Sequence, residues 1–530
     1  MTCVADPPFE PPSADIIVVG GGAAGLAAAV SAGARGVRTI LLEKATELGG
    51  TTGLSVGSFS AACTRLQRRA GIADGADDFR SDMEAFAGDL VVRDNPDLRS
   101  MLAAEAGVTL GWLEDIGIVF AGPFPEPPNR VSRMHNVIPG SRSYLTKLAR
   151  EAKRAGVLIE LGVSVDRLVS DSRGRVVGVD CTQAGRPRRL RARRGVILAT
   201  GDFSGNHELR KAFLSPAAHA AIPVNPRSTG DGHQMARRVD AALRNMDAVF
   251  GPQLRFPRSQ TKGLAERLPD WSWLARIGAQ YLMRAPPWML KPLVTSLLIA
   301  HMSPSERLFQ EGAILVDLDG ERLNGAKPAD ALAAAREPKG YILLNERIAN
   351  LFTKYPFFIS TAPGIAYAYF PDYARGRPDL VHRARNAREL AAKTAISVDR
   401  LTAATRGLEG WPLYALGPVH AMLTVTEGGL AVDAQCRVLR EDSSPVEGLY
   451  AAGGVGQGGM LLKGHGLHIA WALTSGRVAG EMAARCLPVG PEASMQRVRT
   501  GSSADGPINE SASGNPRTRA AEMTSVSARD

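Results

Sequence analysis

The sequence predicts an α/β fold, a parallel-sheet domain interrupted by an inserted α+β cap and completed by the C-terminal part of the chain. Three observations predict it. An apolar strand at 15–19 runs straight into a glycine turn and an alanine-rich helix, the opening of a βαβ unit. From about Gly251 to Thr426 prolines and tryptophans break the periodicity. The ordered pattern then returns at Gly428, with a strand at 448–452 and a helix from Leu467 to Arg485.

Taken in order, Asp15-Ile-Ile-Val-Val19 reads as a buried strand, the following helix reaches about Ala32, and Val37–Leu42 reads as a second strand. Helices are predicted over 77–87, 96–116 and 143–156, the last with Leu145, Leu148, Ala149 and Ala152 on one face. Strands follow at 157–161, 175–181 and 195–199. The expected layout is a tail over 1–13, a first part of the main domain over 14–250, the cap over 251–426 and a second part over 427–487. Residues 488–530 turn polar and are expected to be disordered, because they cannot bury enough apolar surface to offset their ordering entropy.

At 530 residues the chain exceeds what one core supports. The formal charge of +10 is spread out, with Arg186, Arg188, Arg189, Arg191, Arg193 and Arg194 on an expected solvated hairpin. No interleaving of aromatic and basic residues suggests nucleic-acid binding. Cys3, Cys63, Cys181, Cys436 and Cys486 are far apart and odd in number, which fits reduced thiols in a cytoplasm and neither disulfides nor a metal site. Met1–Ser13 lacks the pattern of a signal peptide, and the apolar stretch Trp288–Met302 is too short to cross a bilayer.

Gly20-Gly21-Gly22-Ala23-Ala24-Gly25 is a G-x-G-x-x-G turn set between strand and helix, the context that gives the motif meaning. Gly20 permits the turn, Gly22 leaves room for a pyrophosphate and Gly25 lets helix and strand pack closely. The N–H groups at the helix start, at Ala23 and Ala24, then face the diphosphate. Glu43, eighteen residues beyond Gly25, ends the second strand where a carboxylate can accept bonds from ribose hydroxyls, with Lys44 beside it. A second glycine-rich loop follows, with Gly50, Thr51, Thr52, Ser55 and Gly57 as candidate contacts. The segments Val196–Asp202, with Thr200 and Gly201, and Gly448–Gly454 return to the same place. A chain that visits its cofactor from four places is reading a long embedded group, so FAD is expected rather than NAD, in a Rossmann-like FAD-binding domain. Gly454-Val455-Gly456-Gln457-Gly458-Gly459 repeats the glycine spacing, but only one helix follows it, so it is no second dinucleotide unit.

At these residues the chain resembles the flavoprotein superfamily of fumarate reductase, the succinate dehydrogenase flavoprotein subunit and, most nearly in type, 3-ketosteroid dehydrogenases. The carriers are Gly20–Gly25, Gly49-Gly50-Thr51-Thr52, Ala199-Thr200-Gly201, Thr229-Gly230-Asp231-Gly232, Gly312–Val316 and Gly448–Gly480, over roughly 14–485. The resemblance implies insertion or reduction of a C–C double bond beside a carbonyl or carboxylate, with hydride passing to or from flavin N5. It also implies cofactor contacts at Val165, Gly454 and Leu467, and a keto-oxygen contact at the N–H of Gly466 in Leu462-Lys463-Gly464-His465-Gly466-Leu467-His468. The chain departs from the family pattern at several points. No proton-donating arginine follows Gly320-Glu321-Arg322, Thr424-Val425-Thr426-Glu427 lacks the histidine before Gly428-Gly429, and Lys463 replaces a carboxylate-binding arginine. A dicarboxylate substrate is therefore disfavoured. Leu462 replaces the catalytic tyrosine, and Thr51 replaces the histidine that links FAD covalently, so noncovalent FAD is expected.

His465 and His468 flank Gly466 and are the leading acid–base candidates, since imidazole titrates near neutral pH. Lys463 is a candidate to hold an enolate or an anionic substrate. Tyr414 and His420 precede Gly428 in a segment that lines the cavity in the family, while Tyr144 and Arg142 read better as packing at a helix start. The expected function is an FAD-dependent dehydrogenase acting on CH–CH groups next to a carbonyl. The alternatives are a fumarate-reductase-type ene-reductase and a flavin electron-transfer subunit. The expected partners are a small carbonyl compound, steroid or cyclic ketone, and an external acceptor such as a quinone or carrier protein. The apolar and basic stretch Trp271–Met302 reads as cap packing or, alternatively, as a peripheral membrane contact.

Overall fold

The computed structural model describes residues 9–259, 271–284, 302–325, 327–362 and 366–488. Its larger sheet has eight strands, six in the order Arg437–Leu439, Pro445–Ala451, Arg186–Leu198, Phe9–Val19, Thr39–Glu43 and Leu158–Leu161, with Val176–Gln183 and then Val163–Ser170 branching from Arg186–Leu198 as a meander. From Pro445–Ala451 across to Leu158–Leu161 the neighbours are parallel, with Val19 opposite both Leu42 and Leu198. Ile16, Ile17, Val18, Leu41, Val196 and Ile197 are buried. A strand buried on both faces needs such unbroken apolar runs, and the sequence supplies them. The fold is α/β, as expected.

The helix Ala23–Gly33 and the closing helix Leu467–Arg485 pack against each other at very short range. A Cβ on Gly476 or Gly480 would stand 2.2 Å from the carbonyl oxygens of Ala24 and Ala28. This contact explains why both helices are rich in alanine and glycine, and it sets the angle at which the closing helix meets the first turn.

The hairpin made by Val176–Gln183 and Arg186–Leu198 is less solvated than expected. Arg189 is buried against Asp180, and Arg188 reaches Glu160 at 2.6 Å. The cap also departs from the irregular region that its prolines suggest. Its frame is a seven-stranded sheet around Leu413–Leu423, which pairs with Ile222–Pro223, Gln253–Arg255, Lys339–Asn345 and Val381–Ala384. Proline argues against a central strand because it removes a ladder donor. Here a register shift between Gly340 and Ile342, opposite Gly417 and Pro418, takes the proline out of the ladder. Ile222–Pro223 pairs with this sheet although it precedes the expected boundary at 250.

Among the described residues no helix is long and apolar enough to cross a membrane. The tail over 489–530 and the stretch 285–301 lie outside the described residues.

Candidate active site

The first turn has the shape its residues suggest. Gly20 sits at φ +111°, and a Cβ there would lie 2.4 Å from the carbonyl oxygen of Ala199. A Cβ on Gly25 would meet the carbonyl oxygen of Gly20 at 1.8 Å, whereas one on Gly22 would project into open space with nothing within 4 Å. Gly22 caps the helix Ala23–Gly33, whose first N–H groups therefore point into that opening. Glu43 is held at the strand end, with Oε2 accepting from Gly21 N at 2.6 Å and Oε1 from Ala45 N at 2.8 Å.

The second glycine loop closes over this turn. The position a Cβ would take on Gly50 is 3.4 Å from Gly22 Cα. Thr52 Oγ1 lies 3.4 Å from Ala23 N, and Thr51 Oγ1 accepts from Asn225 Nδ2 at 2.9 Å. Ser55 Oγ donates to the Thr52 carbonyl, and buried Tyr144 donates to the Gly57 carbonyl at 2.9 Å, a packing role for that tyrosine. Lys44 pairs with Asp231 at 2.7 Å. Val165 is buried in Val163–Ser170, a strand led in by Gly162, whose N–H donates to the Ala45 carbonyl. On the other side of the opening the Thr200 hydroxyl is buried without a hydrogen-bond partner among the described residues, and Gly454 approaches Gly201 and Asp202.

Asp202 joins the two halves of the chain: its Oδ2 accepts from Thr426 N at 2.7 Å. Burial pushes its carboxyl up from the usual range, against hydrogen bonds from Thr426, Ser228 and Ser204.

The closing loop is pinned from several directions. Leu461 N donates to Asp94 at 2.9 Å, Ser60 Oγ donates to the His465 carbonyl at 2.7 Å, and Ser60 N donates to the Gly466 carbonyl. Gly466 caps the closing helix at φ +76°, a conformation that suits glycine, and Leu467 is buried as the first helical residue. The two histidines part company here. His465, 57% exposed, places Nδ1 2.6 Å from Oε1 of buried Glu126. His468 places Nε2 3.3 Å from Glu427, a carboxylate that also meets Lys463 Nζ at 3.1 Å.

Tyr414 is not brought to this loop, which corrects its sequence-based assignment. It lies ten residues before Thr424 on an extended strand, about 30 Å away at the usual rise. Its ring packs on Phe370 in the cap core, with centroids 5.0 Å apart. His420 stands beside Arg255 in the same sheet. Glu126 and Glu427 were missed as site residues, because each meets its histidine only through the tertiary fold.

The model of the FAD binding domain family matches residues 15–272 and 270–462. The chain belongs to this family. Its relatives include the 3-oxosteroid 1-dehydrogenase of Mycolicibacterium smegmatis, 26% identical over 88% of this chain and 96% of that one. The urocanate reductase of Eggerthella lenta is 28% identical over 83% of this chain and 69% of that one. Among solved structures, the open conformation of a flavocytochrome c3 fumarate reductase superposes with a TM-score of 0.69 at 23% identity, covering 89% and 78% of the two chains. The protein is an FAD-dependent oxidoreductase, and the opening described above suits FAD: a helix N-terminus and a cradle that a Cβ on Gly22 would fill, with an orphaned threonine hydroxyl beyond them.

Proposed function

We propose that this oxidoreductase, which acts on CH–CH groups, is a dehydrogenase that introduces a double bond next to the carbonyl of a cyclic or steroid ketone. FAD, when bound, supplies the hydride acceptor. Gly20, Gly22, Ala23, Ala24 and Gly25 would hold its diphosphate, Glu43 its ribose, and Gly50–Gly57 with Thr200, Gly201 and Gly454 its remaining length. The binding is noncovalent, since Thr51 offers no nucleophile comparable to the imidazole it replaces.

One observation carries the reading: Gly466 stands at the start of a nineteen-residue helix with His468 and Lys463 on either side. An N–H at that end is positively polarised, so it stabilises charge growing on a carbonyl oxygen as the α-proton leaves. His468 receives that proton, and Lys463 holds the buried Glu427 beside it as a paired carboxylate. His465, swung out to Glu126 and more exposed, is the second candidate.

The test is anaerobic. Cyclic and steroid ketones should bleach the flavin of the purified yellow protein in a single turnover. If no ketone does so while unsaturated acids reoxidise the reduced flavin, the protein is an ene-reductase instead.

The electrons then pass to an external acceptor, a quinone or carrier protein. The helix Ser272–Arg284 favours a quinone reached at a membrane surface. Its inner face packs Ala275, Ala279 and Leu282, while Trp273 and Ile277, each 57% exposed, and Tyr281 face outward between Arg276 and Arg284.

A further inference from the structure

Glu427 is 0% exposed, and its two carboxylate oxygens face two cation-forming groups from elsewhere in the chain, Lys463 Nζ at 3.1 Å and His468 Nε2 at 3.3 Å. Its backbone is fixed on both sides. Thr426 N donates to Asp202, Glu427 N to the Ala248 carbonyl, and the Gly428 carbonyl lies 3.2 Å from His233 Nε2. A carboxylate buried so deeply is tolerated only when paired. Burial alone would push its pKa up, yet His468 and Lys463 hold it below the usual carboxylate range.

The two partners are fixed in turn. Lys463 Nζ donates to the Val249 carbonyl at 2.8 Å, and the His468 ring lies against Phe250 with centroids 5.7 Å apart. The carboxylate beside that ring is Glu427, which Lys463 also meets. His468 Nε2 is buried 3.3 Å from the carboxylate, an ion-pair contact without an aligned hydrogen bond among the described residues, while the side chain as a whole stays 27% exposed.

Resting on the function above, we propose that Glu427 is a positioning residue for proton transfer: it holds the His468 proton on Nε2, leaving the Nδ1 lone pair for substrate, and stabilises the imidazolium that follows. In the step, the substrate Cα–H bond breaks and its proton goes to Nδ1. The electron pair left behind becomes the new π bond as the β-carbon gives up its hydride, for which FAD, when bound, would be the acceptor. Overall the substrate loses two electrons and two hydrogens; FAD, when bound, would supply the hydride acceptor, and His468 carries the second proton until solvent removes it. Lys463 keeps the buried carboxylate paired while His468 is neutral.

The test uses the FAD-loaded protein with ¹⁵N-labelled histidine, the His468 signals being identified by their loss in His468→Ala. His468 should carry its proton on Nε2 at neutral and higher pH. In Glu427→Gln, flavin reduction by a ketone should slow by about 10²-fold. The acid limb of its pH profile should also move, because the proton-accepting group loses its carboxylate neighbour. Glu427→Asp should recover part of both. A wild-type proton on Nδ1 overturns the proposal, as does a Glu427→Gln profile that keeps its position at a rate within about twofold of wild type. Should Glu427→Gln not load FAD, the wild-type tautomer and Glu427→Asp still decide it. The tautomer needs no substrate, so failure of every ketone to reduce the flavin sinks the proposed reaction separately from the role of Glu427.

Discussion

Gly22 shows how much one missing atom can decide. Its neighbours leave the space beside it empty, so a side chain there would fold without clash and still fill the cradle. Gly22→Val should therefore leave the folded content intact and weaken FAD binding by roughly 100-fold, equivalent to the few kcal/mol that overfilling a close-packed site costs. Titration of the apoprotein with FAD measures it, and unchanged affinity would remove the diphosphate from this turn. The cradle was legible at this scale because it is local: turn, helix start and ribose acid lie within thirty residues. Glu126 was not, since 339 residues separate it from His465. Glu427 stood in view beside Gly428, but nothing near it in sequence foretold a histidine and a lysine at its two oxygens. Tyr414 erred the other way, because a strand carries a residue far from a neighbour that seems close along the chain.

At the scale of elements, the closing helix does two jobs: it presents Gly466 at its start and packs its small residues on the first helix further along. Gly480→Val tests the second job without touching the first. A side chain there has no room against the Ala28 carbonyl, so the variant should lose about 1–3 kcal/mol in denaturant unfolding. A wild-type midpoint would mean the two helices are not held this closely. The outward face of Ser272–Arg284 makes a separate prediction. Replacing Trp273 and Ile277 by serine should abolish co-sedimentation with anionic vesicles while leaving dye-linked activity unchanged, and equal sedimentation of variant and wild type would rule out this helix as the contact. The helices and the parallel strands were readable because their apolar periods are regular. The cap sheet was not, because its central strand contains Gly417 and Pro418, and only pairing with Lys339–Asn345 shows where the bulge falls.

Across the whole molecule, two buried histidines tie stability to pH. His135 and His233 are each lowered by burial from 6.5 to about 4, so the unfolded chain takes up their protons first. Their contribution is whole above about pH 6.5 and is lost as the pH falls toward 4, at about 3 kcal/mol each. Glu427, held below its usual range, adds loss in the same direction, whereas Asp202 and Asp94, both raised mainly by burial, offset part of it. Urea midpoints of the apoprotein should therefore fall steeply between pH 6.5 and 4. A flat profile there would mean these imidazoles are not buried neutral.

By itself the sequence determined that the chain builds a parallel sheet around a glycine turn and that the protein takes FAD, since strand, turn, helix start and acid act over short spans through backbone geometry. The tertiary structure alone decided which carboxylates face the closing loop, which histidine turns inward and how the cap strands align. Those arrangements depend on packing between segments tens to hundreds of residues apart, 36 for Glu427 and Lys463 and 339 for Glu126 and His465, where no local period or spacing carries the information.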